Sequence, residues 1–85
     1  MAVAIGVSVR LFARLRELAG TESERMQLPA GSNVADVYDA LLVTHPALPA
    51  RASVRAALNQ EFADWGAHVA DGDEVAFIPP VSGGR

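Results

Sequence analysis

The 85 residues are 51% hydrophobic and 20% charged, enough apolar material for one packed core and too little chain for a second domain. A domain this short buries roughly 60 to 65% of its unfolded surface, so its stability margin is modest. The formal net charge is −3, all seven basic residues are arginines scattered along the chain, and cysteine is absent, which leaves nucleic-acid binding, lysine Schiff-base chemistry, disulfides and thiolate catalysis without support.

Residues 2–9 are apolar but lack a basic leader region and a small-residue cleavage site, and no stretch approaches the length of a membrane span. The expected location is the cytoplasm, with no membrane contact. Residues 3–12 alternate, placing Val3, Ile5, Val7, Val9 and Leu11 on one face of a half-buried strand. Parity then sends Arg10 and Phe12 to the other face, toward solvent or a partner. Residues 13–19 are rich in helix formers and stop at Gly20, a natural left-handed cap. Residues 22–28 form a weakly apolar strand, expected at a sheet edge and antiparallel to the first, closed by Pro29, Ala30 and Gly31.

The main helix begins at Ser32 or Asn33, with Asp36 placed for a capping box. Val34, Val37, Tyr38, Leu41 and Leu42 follow the spacing of a buried stripe, and Pro46 halts the helix near Thr44. Residues 47–53 are predicted to be loop. Val54, Ala56 and Leu58 alternate with Arg55, Ala57 and Asn59, and Asn59-Gln60 fits a tight turn into Glu61, Phe62 and Ala63. Residues 64–70 read ambiguously. Asp71-Gly72-Asp73 is a turn before a last strand, residues 74–78, with Val75 and Phe77 inward and Ala76 and Ile78 outward.

One helix with one long stripe, among five strands, predicts an α+β fold with a mixed sheet wrapped over that helix, the β-grasp arrangement. The first and last strands then lie parallel at the sheet centre, which accounts for their being the most apolar runs. Residues 1–78 are the expected domain and 79–85, Pro-Pro-Val-Ser-Gly-Gly-Arg, a flexible tail. Prolines hold that tail extended and glycines strip it of side chains.

Candidate chemistry inside the domain is sparse. Asp71, Asp73 and Glu74 lack the flanking oxygen ligands of a calcium loop, so no metal site is expected. His45 and His68 stand alone, with no second ligand or nucleophile at a useful spacing, and read as solvated or loop residues. Ser82 has no base in its stretch, and Gly83-Gly84 has no following helix or lysine for phosphate binding. The outward set of Arg10, Phe12, Phe62 and Ile78, joined by Arg16, has the composition of a partner surface.

Three stretches carry a resemblance: residues 12–20 (FARLRELAG), residues 57–60 (ALNQ) and residues 71–84 (DGDEVAFIPPVSGG). Together they resemble the small subunit of molybdopterin synthase, the MoaD family of ubiquitin-like sulfur carriers. The resemblance implies a non-catalytic donor subunit of a heteromeric sulfurtransferase, with no bound cofactor. It implies further that an E1-like activating enzyme uses ATP to adenylate the carboxylate of Gly84, beside Gly83, and that a sulfur donor system converts it to a thiocarboxylate. On the same resemblance the large subunit would then receive the tail, sulfur would pass to cyclic pyranopterin monophosphate, and two small subunits would flank two large ones. Phe12, Arg16, Phe62, Ile78, Pro79, Pro80 and Val81 match the partner-facing positions.

Family members ready for activation end at the second glycine, so the resemblance also implies removal of Arg85, whose side chain does not fit a channel made for glycine. A cellular peptidase is the expected agent, with an inactive gene-end variant or an artificially added arginine as the alternatives. Two other readings stay open from the residues: a related β-grasp carrier serving cysteine or thiamine synthesis, and a pure interaction module with an inert tail.

Overall fold

The computed structural model describes residues 3–79. Five strands form one sheet: β1 (Ala4–Leu11), β2 (Ser23–Pro29), β3 (Arg55–Leu58), β4 (Glu61–Ala63) and β5 (Glu74–Ile78). Their spatial order is β2-β1-β5-β3-β4. The central strands β1 and β5 run parallel, with Val9 opposite Val75 and Leu11 opposite Phe77, while the flanking pairs are antiparallel. This is the mixed β-grasp sheet that the element order predicted.

The helix α2 (Val34–Thr44) starts where its cap chemistry says it should. The Asn33 side chain accepts a hydrogen bond from the Asp36 backbone at 2.8 Å, and the Asp36 carboxylate accepts one from the Asn33 backbone at 3.0 Å. Its Val34, Val37, Tyr38 and Leu41 are fully buried against the inner sheet face, where Val7, Val9, Val75 and Phe77 are also fully buried. Each such side chain contributes about 1.5 to 3 kcal/mol relative to exposure. The short helix α1 (Ala13–Ala19) adds Leu15 to the core. Gly20 ends it at φ 77°, and the Gly20 backbone N–H donates to the Arg16 carbonyl.

Several local expectations change. Val3, assigned inward by parity, precedes β1 and is 66% exposed. The segment before β3 contains one 3₁₀ turn, Arg51–Ser53. His45 is the residue after α2, as a loop reading expects, but it is not free: its Nε2 sits 3.0 Å from Glu24 Oε1 on β2 in a half-buried pair that ties helix to sheet edge. His68 makes an isolated bridge with Asn33, so the ambiguous residues 64–70 serve as a brace for the start of α2. Val34 and Ala35 there donate to the carbonyls of Ala67 and Trp65. No helix among the described residues is long and apolar enough to cross a membrane.

An aromatic cluster closes one end of the core, with Tyr38 tilted against both Trp65 and Phe77, and Trp65 stacked on Phe77 at 5.9 Å between centroids. The Tyr38 hydroxyl donates to the Pro49 carbonyl at 2.6 Å. Burial raises the Tyr38 pKa above its ordinary 10.0, so the unfolded chain loses this proton first. The stability that neutral Tyr38 contributes is therefore present below pH 10.0 and is lost as pH rises through the folded pKa. In urea titrations, Tyr38→Phe is expected to lower stability by about 1 to 2 kcal/mol at neutral pH and to flatten the alkaline decline. An unchanged alkaline slope would contradict this assignment.

Candidate functional site

A groove of about 300 Å³ lies on the outer sheet face, lined by Arg10, Phe12, Ala57, Gln60, Phe62, Glu74, Ala76 and Ile78. Register explains its shape. One row crosses four strands as Arg10, Ala76, Ala57 and Phe62, with each residue paired to the next. Directly opposed residues share a face, so two adjacent alanines make a low floor between an arginine and a phenylalanine. Phe12 and Ile78 close one end, and Glu74 and Gln60 the other.

Backbone geometry holds these walls in place. Phe12 follows β1 directly, and its N–H donates to the Phe77 carbonyl at 3.3 Å, which seats it beside Ile78. Ala13, the next residue, has φ 51°, a left-handed conformation that a Cβ disfavours by roughly 1 to 2 kcal/mol. The strain falls at the corner where the chain leaves β1 and presents Phe12. At the opposite wall, Asn59 and Gln60 both have positive φ, 51° and 73°, the pattern of a type I′ hairpin turn that holds Phe62 next to Ala57.

Asn59 also fastens that turn to β5. Its backbone N–H donates to the Glu74 carbonyl, its side-chain oxygen accepts from the Glu74 N–H at 3.0 Å, and its amide donates to Asp73 Oδ1 at 3.2 Å. The acidic turn is similarly engaged in structure: Asp71 Oδ1 accepts from the Gly6 N–H, and Asp73 Oδ2 accepts from the Ala70 N–H. No group of three or more His, Cys, Asp or Glu poised for a metal occurs among the described residues.

The groove carries little free charge. Arg10 Nη1 lies 3.6 Å from Glu74 Oε2, and the Arg10 guanidinium stands 5.4 Å from the Phe12 ring centre. Such an exposed pair adds little stability. Phe62 is 66% exposed and Phe12 40% exposed, which leaves apolar rings at the two rims facing solvent.

Of the residues picked from the sequence, Arg10, Phe12, Phe62 and Ile78 come together here. Arg16 does not line the groove and pairs with Glu22 at 3.6 Å. Pro79 is half-buried immediately after β5, whereas Pro80, Val81, Gly83, Gly84 and Arg85 lie outside the described residues. The sequence reading missed the alanine floor and Gln60. Only the pairing register of β3 with β5 shows that Ala57 and Ala76 are neighbours.

The ThiS family model matches residues 9–84. The chain belongs to the ThiS family. A molybdopterin synthase sulfur carrier subunit of Arabidopsis thaliana is 41% identical over 81 residues, spanning 94% of this chain and 84% of that protein. Small archaeal modifier protein 1 of Haloferax volcanii is 39% identical over 84 residues, spanning 88% of this chain and 97% of that protein. A crystal structure of the Haloferax protein superposes with a TM-score of 0.83 at 38% identity, covering 93% of this chain and 99% of that chain. A complex of subunits 1 and 2 of the molybdopterin-converting factor from Helicobacter pylori contains a chain similar to this one, with a TM-score of 0.62 at 27% identity, covering 94% of this chain and 100% of that chain. The resemblance to MoaD-type carriers read from residues 12–20, 57–60 and 71–84 therefore holds across nearly the whole ThiS family member.

Asn59→Gly keeps the positive φ that the turn needs and removes only the side-chain bonds. It is expected to lower stability by about 1 to 2 kcal/mol and to speed amide hydrogen exchange at Glu74. Unchanged exchange at Glu74 would show that the hairpin holds its position without Asn59.

Proposed function

We propose that this chain is the sulfur carrier of a molybdopterin synthase, docking through the outer-face groove and delivering sulfur from the carboxyl carbon of Gly84. The observation that carries the reading is continuity. The family match runs through residue 84 and takes in both glycines, and Ile78, at the groove's end, is the last residue of the strand that leads to them.

The chemistry follows from the carboxylate. It is a poor electrophile, so an E1-like activating enzyme first joins it to the α-phosphate of ATP, releasing pyrophosphate and forming an acyl-adenylate. A sulfide-level nucleophile from a donor system then attacks the acyl carbon and displaces AMP to give the thiocarboxylate. Gly84 becomes the terminus only once the bond to Arg85 is cleaved. The six residues from Pro79 to Gly84 span roughly 20 Å when extended, enough to reach inside a neighbouring subunit while the domain stays docked. Glycines at 83 and 84 pass a channel too narrow for a Cβ, and prolines at 79 and 80 reduce the ordering cost of insertion. In the large subunit, the thiocarboxylate sulfur bonds to cyclic pyranopterin monophosphate, water cleaves the acyl carbon–sulfur bond and returns Gly84 to the carboxylate, and two carriers flank two large subunits. The domain then comprises residues 1–78 and the carrier arm residues 79–84, with activation and transfer in the cytoplasm.

The likeness to the Haloferax modifier protein favours a second reading, in which the same activated carboxyl is passed to an amine of another protein. This chain has no lysine, so it offers no side-chain amine of its own as acceptor.

A reconstituted assay separates the readings. Chain ending at Gly84, thiocarboxylated and mixed with the large subunit, is expected to convert cyclic pyranopterin monophosphate to molybdopterin. A form lacking residues 83–85 should stay folded and give no product, and Phe12→Ala should lower product formation at least tenfold at limiting carrier. A carrier that leaves pyranopterin untouched and acylates protein amines would favour the second reading.

A further inference from the structure

Arg55 stands at the rim of the groove with a geometry that the docking reading has not used. Its guanidinium carbon lies 4.3 Å from the centre of the Phe62 ring, and in the sheet it pairs directly with Ile78 across β5. Both neighbours line the groove. Among the described residues Arg10, Arg14, Arg16 and Arg51 each have a carboxylate partner, whereas Arg55 has none. Arg25, the other arginine without one, lies near Gly6 on the far side of β1 from β5.

The local charges sharpen the contrast. Arg10 and Glu74 offset each other inside the groove. Glu61 is adjacent to Phe62 on β4 and so alternates to the opposite face. The positive charge at this rim is left to Arg55, in a chain whose net charge is −3. A guanidinium held over a ring face is positioned by the ring, and its N–H groups still present a planar fork of donors that matches a carboxylate.

We infer that Arg55, braced on Phe62, is a specificity-determining contact that takes an aspartate or glutamate of the docking partner beside its apolar plug. This rests on the proposal that the groove docks the large subunit. The apolar floor gives affinity to any partner with a matching side chain, while the arginine rewards a partner acidic at one point and penalises a basic one.

The test is titration calorimetry of the intact chain against the large molybdopterin synthase subunit of the same organism, at low salt and at about 1 M salt, where the screening length falls to about 3 Å. Arg55→Glu is expected to weaken binding on the order of 10- to 100-fold at low salt, with the gap narrowing sharply at high salt. Arg55→Gln should fall between that variant and the parent, and an Arg substitution of the partner carboxylate should restore binding to Arg55→Glu. Melting curves should shift by no more than a few degrees, since Arg55 is exposed and only its contact with Phe62 is lost. Binding of Arg55→Glu equal to the parent at low salt would overturn the assignment, as would an equal loss at both salt concentrations, which marks packing on Phe62 and no charge contact. If Phe12→Ala weakens binding while Arg55→Glu does not, the docking reading stands and Arg55 alone is wrongly placed. If the parent chain does not bind the large subunit, both fall together.

Discussion

The parallel pairing of β1 with β5 is the constraint on which the rest of the structure depends. It brings the first strand and the last strand together at the sheet centre, so both need apolar side chains on the face that α2 covers. Val7, Val9, Val75 and Phe77 supply them and are fully buried. The same pairing decides what the other face looks like. Once Val9 is opposite Val75, Arg10 must be opposite Ala76, and the Phe12 N–H must find the Phe77 carbonyl. Core register and outer groove are thus two sides of one pairing, and a slip of one residue would bury the wrong set on both faces.

The outer groove is defined by small side chains. Ala57 and Ala76 sit side by side where a larger pair would fill the depression, and Phe12, Ile78 and Phe62 rise around them. Holding two phenylalanines at solvent-facing rims gains no core burial for the isolated domain. Strain at Ala13 and the pair of positive-φ residues at Asn59 and Gln60 mark the same rims, where backbone geometry serves the presentation of a side chain. The domain's stability comes from the opposite face, and the outer groove contributes little to the core.

Much of this was legible in the residues. Strict alternation revealed the outward position of Arg10, Phe12, Ala76 and Ile78, because a strand's period of two admits one answer once the core face is known. Asn33 and Asp36 announced the start of α2, since capping is local chemistry. Other features were hidden because they depend on distant parts of the chain meeting. His45 reads as a loop residue until β2 brings Glu24 against it. Val3 fits the alternation, yet lies ahead of the strand that would bury it. The alanine floor and the stacking of Arg55 on Phe62 both arise from cross-strand register, which short strands such as β3 and β4 do not encode in their own pattern. The tail is the reverse case, read from sequence and family match alone.

We propose that this domain carries sulfur on Gly84. Intact-mass spectrometry of the protein isolated from its own cells, under conditions in which molybdopterin is being made, tests it most directly. The expected species ends at Gly84 with one oxygen replaced by sulfur, and it disappears when the activating enzyme is removed. A chain that retains Arg85 and carries no sulfur in such cells would contradict it.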